Sequence, residues 1–160
     1  MSDLLVAVTV AAVMGCGLSA GALFAFSSFV MTALARLPVP QGIAAMNSIN
    51  VAAVTPVFMT ALFGTGLLCI ALAVWTFADW HSSYSPYLVA GGTVYVAGVL
   101  GVTMAFNVPR NDALGRTDPE DAGSAAYWSR YVSEWTAWNH VRVLAGIAAT
   151  VVLTLALEIG

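Results

Sequence analysis

The sequence predicts an all-α fold: a transmembrane four-helix bundle with an amphipathic helical extension before the last span. Two observations predict it. Of the 160 residues, 60% are hydrophobic and 8% charged, against roughly 25% charged in an ordinary soluble domain. So few charges cannot cover the surface of a water-soluble fold, and lipid must solvate most of the chain. The charges are also bunched. None occurs between Asp3 and Arg36, between Arg36 and Asp79, or, with histidine neutral, between His81 and Arg110. Each interval exceeds the ~20 residues that carry a helix across ~30 Å of hydrocarbon. The short alternating strands of a membrane barrel are absent. The whole of 1–160 reads as a single integral membrane domain.

The elements follow in order, with spans at about 4–35, 52–78, 86–108 and 137–157. The opening "MSDLL" has no basic residue, so a cleaved signal peptide is not expected and the first segment is read as a span. "LPVPQG" at 37–42 is a Pro/Gly break, and "IAAMNSIN" after it suits a short interfacial helix leading into span two. "ADWHSSYSP" at 78–86 is a polar turn that sets Trp80, Tyr84 and Tyr87 at headgroup level. "NVPRNDALGRTDPEDAGSAAYWSRYVSEW" is the one long polar segment. Asp118 there can cap a helix with Pro119 at its first position and Glu120 and Asp121 in its first turn, and that helix is expected to run unbroken into span four. Gly17 and Gly21 form GxxxG, Gly15/Ser19 and Ala97/Gly101 the looser small-xxx-small pattern. Such faces suit packing within the bundle first, and homo-oligomerisation second.

Charge sets orientation and excludes one class of partner. Arg36, Arg110, Arg116 and Arg130 lie in the connections on one side, with Arg142 just inside the membrane from them, while the other side carries Asp3, Asp79 and Glu158 and no cation. The positive-inside rule then puts both termini outside and the 109–136 segment in the cytoplasm, most simply of a bacterial inner membrane. A net charge of −3 without a basic patch leaves nothing to neutralise nucleic acid phosphates. Cys16 and Cys69 fall in apolar runs without the spacing of a metal or redox motif, and read as small buried hydrophobes.

Polar residues within the spans gather on the arginine side. Span three ends in "FNVPRND", with Asn107, Arg110, Asn111 and Asp112; span four begins with Asn139 and Arg142; the first link adds Asn47 and Asn50. On a continuous helix Trp128, Trp135, Asn139 and Arg142, spaced by 7, 4 and 3 residues, share one face. An Arg at a lipid boundary can snorkel, but Asn139 one turn away is no interfacial anchor, and in lipid its amide needs partners from another helix. Two readings stay open on spacing alone. One is a polar clasp tying spans three and four; the other is a polar pocket between them that opens into the bundle. The phenylalanines Phe24, Phe26 and Phe29 of span one, with Phe58 and Phe63 of span two, are core or lipid-facing residues, or the lining of a slot for a flat aromatic ligand.

Several kinds of machinery are missing. His81 and His140 fall on opposite sides of the membrane, so one chain cannot join them at a haem or copper ion. No carboxylate lies mid-membrane, as a proton relay would require. There is no phosphate loop and no Ser-His-Asp arrangement. No metal site and no cofactor are expected, and the partners implied are a hydrophobic small molecule and membrane lipid.

The chain resembles the anthrone oxygenase-like family of small membrane proteins over nearly its whole length. The residues that carry the resemblance are "GALFAFSSFVMTALARLP", "GIAAMNSIN" followed by "TPVFMTALFGTG", "GVTMAFNVPRNDAL" and "WSRYVSEWTAWNHVR". The most specific are Asn-x-Pro-x-Asn (Asn107, Pro109, Asn111) and Trp-Asn-x-x-Arg (Trp138, Asn139, Arg142). Similar proteins often have Asn-Pro where this chain has Thr55-Pro56, so no role for that Asn carries over. The resemblance implies four transmembrane helices and oxidation of an anthrone to an anthraquinone by O2 without metal or flavin. Loss of the benzylic proton gives an electron-rich enolate that can reduce O2 directly. The protein must supply donors for the enolate oxygen, a slot for the rings and a base. Arg142, Asn139, Asn107 and Asn111 are the candidate donors. Trp135 and Trp138 are candidates to stack on the rings, with Asn50 and Phe24 as further substrate contacts. Glu134 and His140 are the candidate bases, although neither shares the Asn139/Arg142 face. The rival to this enzyme is a non-enzymatic membrane subunit in which the Asn/Arg cluster is structural or holds a lipid or a partner.

Overall fold

The computed structural model describes all 160 residues. Five helices account for nearly all of it: α1 (Asp3–Ala35), α2 (Val39–Ala52), α3 (Pro56–Ala78), α4 (Ser85–Gly115) and α5 (Ser124–Ile159). All but α2 are long and apolar enough to cross a membrane. There is no strand. With four spans the chain is an integral membrane four-helix bundle, in which α5 packs against α1 and α4, and α3 closes the ring between α4 and α1.

Local sequence sets the helix ends. The Ser2 hydroxyl caps α1 by accepting from the Leu5 amide, and the Thr55 hydroxyl caps α3 by accepting from the Phe58 amide with Pro56 at the first position. The expected Pro/Gly break at 37–42 is shorter than its sequence suggests: the turn is confined to residues 36–38, and α2 starts inside the break at Val39, with Pro40 in its first turn, and lies across the arginine end of the bundle. The expected helix start at Asp118 is corrected. The Asp118 carboxylate instead accepts from the Glu120 amide within a turn, and α5 begins at Ser124. From there it runs 36 residues without a break, so extension and last span are one rod.

Three of the spans are not regular throughout. Wide π turns occupy Phe26–Val30 in α1, Thr60–Gly64 in α3, and Val96–Gly101 and Thr103–Asn107 in α4. The last of these ends two residues before Pro109, which has no N–H to continue an α-helical ladder.

The core has two parts. Along the bundle Leu5, Cys16, Leu23, Leu72, Leu88, Tyr95, Val99 and Leu153 belong to one apolar cluster. The Tyr95 hydroxyl lies 2.9 Å from Ser19 Oγ and 3.0 Å from the Leu62 carbonyl, so its polar tip is satisfied inside the membrane. Under α2, Met31, Leu34, Ile43, Met46 and Leu114 pack on Trp128, Tyr131 and Trp135 of α5. Close approach requires glycine at Gly42, where a Cβ would sit 2.9 Å from the Trp128 ring, and at Gly146, 2.9 Å from Ala20. The GxxxG pair does not serve the bundle: Gly17 and Gly21 face outward with open space at both. The intramolecular role expected of them falls to Gly146 and Gly98 instead.

Candidate functional site

The buried stripe of α5 organises the arginine end. Trp128, Tyr131, Trp135, Asn139 and Arg142 are all buried, as their spacing along one face requires. Arg142 is 4% exposed and Asn139 fully buried, so the snorkelling alternative is wrong for Arg142. Its Nη2 donates to Asn139 Oδ1 at 2.7 Å, its Nη1 donates to Thr103 Oγ1 at 3.2 Å, and its guanidinium lies 5.1 Å from the centre of the Trp135 ring. Its Nε has no partner. No carboxylate pairs with it. Burying a guanidinium without a counter-ion is costly, and amide, hydroxyl and ring-face contacts offset only part of that cost.

Each asparagine does something different. Asn139 Nδ2 donates to the Leu23 carbonyl and to Ser27 Oγ of α1, both at 2.7 Å. Asn107 Nδ2 donates to the Trp135 carbonyl at 3.2 Å, and its buried Oδ1 is left without a partner. Asn111 Oδ1 accepts from the Tyr131 hydroxyl at 2.9 Å and from Trp135 Nε1 at 2.8 Å. Since an indole N–H can only donate, this fixes the orientation of the amide and leaves Asn111 Nδ2 on the free side. The cluster therefore joins α1, α4 and α5, not α4 and α5 alone.

Beside it lies a cavity of about 650 Å³. Of its 19 lining residues 14 are hydrophobic, among them Phe26, Met46, Phe58, Leu62, Phe63 and Trp135. The other five are Asn50, Thr55, Thr103, Asn111 and Arg142. The expected place between spans three and four is thus corrected: α1, α2 and α3 build most of the wall, and α4 and α5 the polar end. Three of the four wide turns reach the cavity, through Phe26, through Leu62 with Phe63, and through Thr103. On the side of exposed Val54 and Thr55 the cavity borders a polar recess that includes Asn47, Asn50, Asn111, Asp112 and Arg116.

The other candidates lie elsewhere. Glu134 sits on the outer surface, 3.0 Å from Arg110 Nη2. His140 is exposed on the far side of α5. Trp138 stacks on Phe106 with ring centres 3.6 Å apart, away from the cavity. Phe24 is 57% exposed and points outward, where Phe26, two residues on, points in. Asn50 does line the cavity, and its buried Nδ2 has no partner. Sequence reasoning missed Thr103 and Ser27. Thr103 had a usable signal, one turn before Asn107 on the same face; Ser27 had none, because the wide turn at Phe26–Val30 displaces it from regular periodicity.

The arrangement suits a flat, apolar ligand that presents an oxygen to Arg142. Comparison with curated proteins and with solved structures gives no match. A comparison with family models does: residues 55–152, more than half of the chain, match the model described as anthrone oxygenase. That stretch holds Thr103, Asn111, Trp135 and Arg142, which line the cavity from α4 and α5, together with Asn107 and Asn139 beside them, and by this match the chain belongs to the anthrone oxygenase family.

Proposed function

We propose that this protein is a membrane oxidoreductase that oxidises a flat, hydrophobic, anthrone-like aromatic with O2, without a metal or flavin. The observation that carries the reading is an apolar cavity ending at a buried guanidinium that has no counter-ion. In the reaction a ring CH2 and O2 become a ring C=O and water. One oxygen atom enters the carbon and the other leaves with its two hydrogens. The difficult step is loss of the first proton to give an enolate that passes an electron to O2. Arg142 and the Asn111 amide are placed to hold the developing oxygen charge in a water-poor site, where such donors act most strongly. Phe26, Phe58 and Phe63 pack against the rings. The substrate reaches the cavity from the lipid, and the arginine end faces the cytoplasm of a bacterial inner membrane, with both termini outside.

A structural clasp has an observation in its favour: Asn139 and Asn107 are spent on bonds between helices. It does not account for the open donors of Arg142 and Asn50 beside a cavity of this size. Purified protein in detergent or liposomes, given an anthrone under air, should form anthraquinone well above the rate in empty micelles, and Arg142→Met should remove the difference. Equal rates with and without protein would defeat the enzyme reading and favour the clasp.

A further inference from the structure

The polar end of the cavity is unbalanced between donors and acceptors. Its open groups are donors: Arg142 Nε and Asn50 Nδ2, both buried and unpartnered, and Asn111 Nδ2. Most of its acceptors are in use, while Asn107 Oδ1, just outside the lining, is buried without a partner. Asn139 Oδ1 takes Arg142, Asn111 Oδ1 takes Tyr131 and Trp135, Thr103 Oγ1 takes Arg142 while donating to the Val99 carbonyl, and Thr55 Oγ1 takes the Phe58 amide. Charge is unbalanced too. The wall segments of α1, α2 and α3, residues 22–26, 46–55 and 58–63, contain no Asp, Glu or His. On α5, Glu134 is turned outward to Arg110; on α4, Asp112 is exposed in the neighbouring recess. The remaining titratable group near Arg142 is the Tyr131 hydroxyl, which donates to Asn111. A guanidinium stays protonated in a protein, so the cavity carries one positive charge that nothing in the chain neutralises.

We infer that the cavity binds its ligand as an anion, selecting the ionised form of a weakly acidic hydroxyaromatic, so that the counter-ion of Arg142 is the ligand's own oxygen. This rests on the proposed aromatic substrate class, and it assigns the acid–base step to a shift in the ligand's acidity instead of to a protein base. The O–H bond of the ligand breaks on binding. Its electron pair stays on the oxygen facing Arg142, and the proton passes through the recess at Asn47 and Asp112 to bulk water. A neutral ligand with an unpaired donor or a plain hydrocarbon would leave the charge as it is. An anion removes two desolvation costs together.

A hydroxyanthraquinone tests this without turnover. It is already at the oxidised level, and its colour moves from yellow to red on ionising. Titrated with intact protein in detergent, the bound dye should ionise at a pH at least about one unit lower than in empty micelles, a tenfold shift in its acidity constant. Arg142→Lys should keep part of the shift, and Arg142→Met should abolish it. The wild-type measurement stands by itself if the second variant fails to fold. Dye that binds but titrates at or above its micellar value overturns the inference, and anthrone turnover persisting beside that result leaves the proposed function intact. Dye that fails to bind at all also overturns the inference, and the anthrone assay then decides the proposed function separately. A lowered pH of ionisation with no oxidation of anthrone upholds the anion site and removes the oxidase.

Discussion

Arg142 and Asn139, one helical turn apart on α5, are joined by a 2.7 Å hydrogen bond that turns the Asn139 amide away from the cavity and toward α1. With its oxygen held by the guanidinium, Asn139 can only present its NH2 group to Leu23 and Ser27. Arg142 keeps its Nε unpartnered. The two residues that sequence reasoning placed together as donors to a substrate therefore divide the work: one anchors a helix, and the other faces the cavity.

Asn139→Ala should consequently lower stability by about 1–3 kcal/mol, the cost of leaving a buried partner unsatisfied, seen as earlier thermal unfolding in detergent. Asn139→Asp is the more informative change. It gives Arg142 an internal counter-ion but loses the donor to the Leu23 carbonyl, so stability should fall as in Asn139→Ala while affinity for an anionic dye falls on the order of tenfold.

Asn111 holds the indole of Trp135 and the phenol of Tyr131 at once. Asn111→Leu strands both donors and should cost about 2–4 kcal/mol, with a changed near-ultraviolet circular dichroism signal. Asn111→Asp keeps the acceptor and should retain that signal, but it adds a negative charge beside the cavity and should weaken anion binding.

Glu134 and His140 should prove dispensable for oxidation. Glu134 makes a surface ion pair with Arg110, worth at most about 1 kcal/mol, and His140 is exposed. Glu134→Gln and His140→Phe should each leave anthrone turnover within about twofold of the parent, a free-energy change of at most about 0.4 kcal/mol. A loss of a hundredfold in either would restore a protein base and contradict the geometry.

Gly42→Ala and Gly17→Ala separate packing glycines from outward ones. A methyl at Gly42 meets the Trp128 ring and should cost about 1–3 kcal/mol by overpacking. At Gly17 there is open space, and the change should be close to neutral in the same thermal assay.

Orientation is checked by reporters fused to the C-terminus. On the orientation proposed from the arginine distribution, a periplasmic reporter should be active and a cytoplasmic one silent.

The bundle was legible because charge-free intervals report span length with little ambiguity, and the stripe from Trp128 to Arg142 was legible because α5 is regular along its whole length. What escaped lies on irregular elements. Phe24 was favoured over Phe26, and Ser27 was not foreseen, because the turn at Phe26–Val30 departs from the 3.6-residue period on which face assignments rest. The start of α5 was misplaced because Asp118 and Pro119 suit a turn as well as a cap. The cavity is a property of three-dimensional packing: its main walls come from α1, α2 and α3, whose apolar residues are indistinguishable in sequence from any others that face lipid.

The uneven placement of the wide turns has a mechanical side. The rod that carries Trp135 and Arg142 has no such turn, whereas each of the three spans opposite has at least one beside the cavity. Backbone irregularities of this kind are the joints at which membrane helices bend. The bundle is thus one stiff mast facing three jointed staves, so that the cavity can widen by flexing the staves while Arg142 keeps its position.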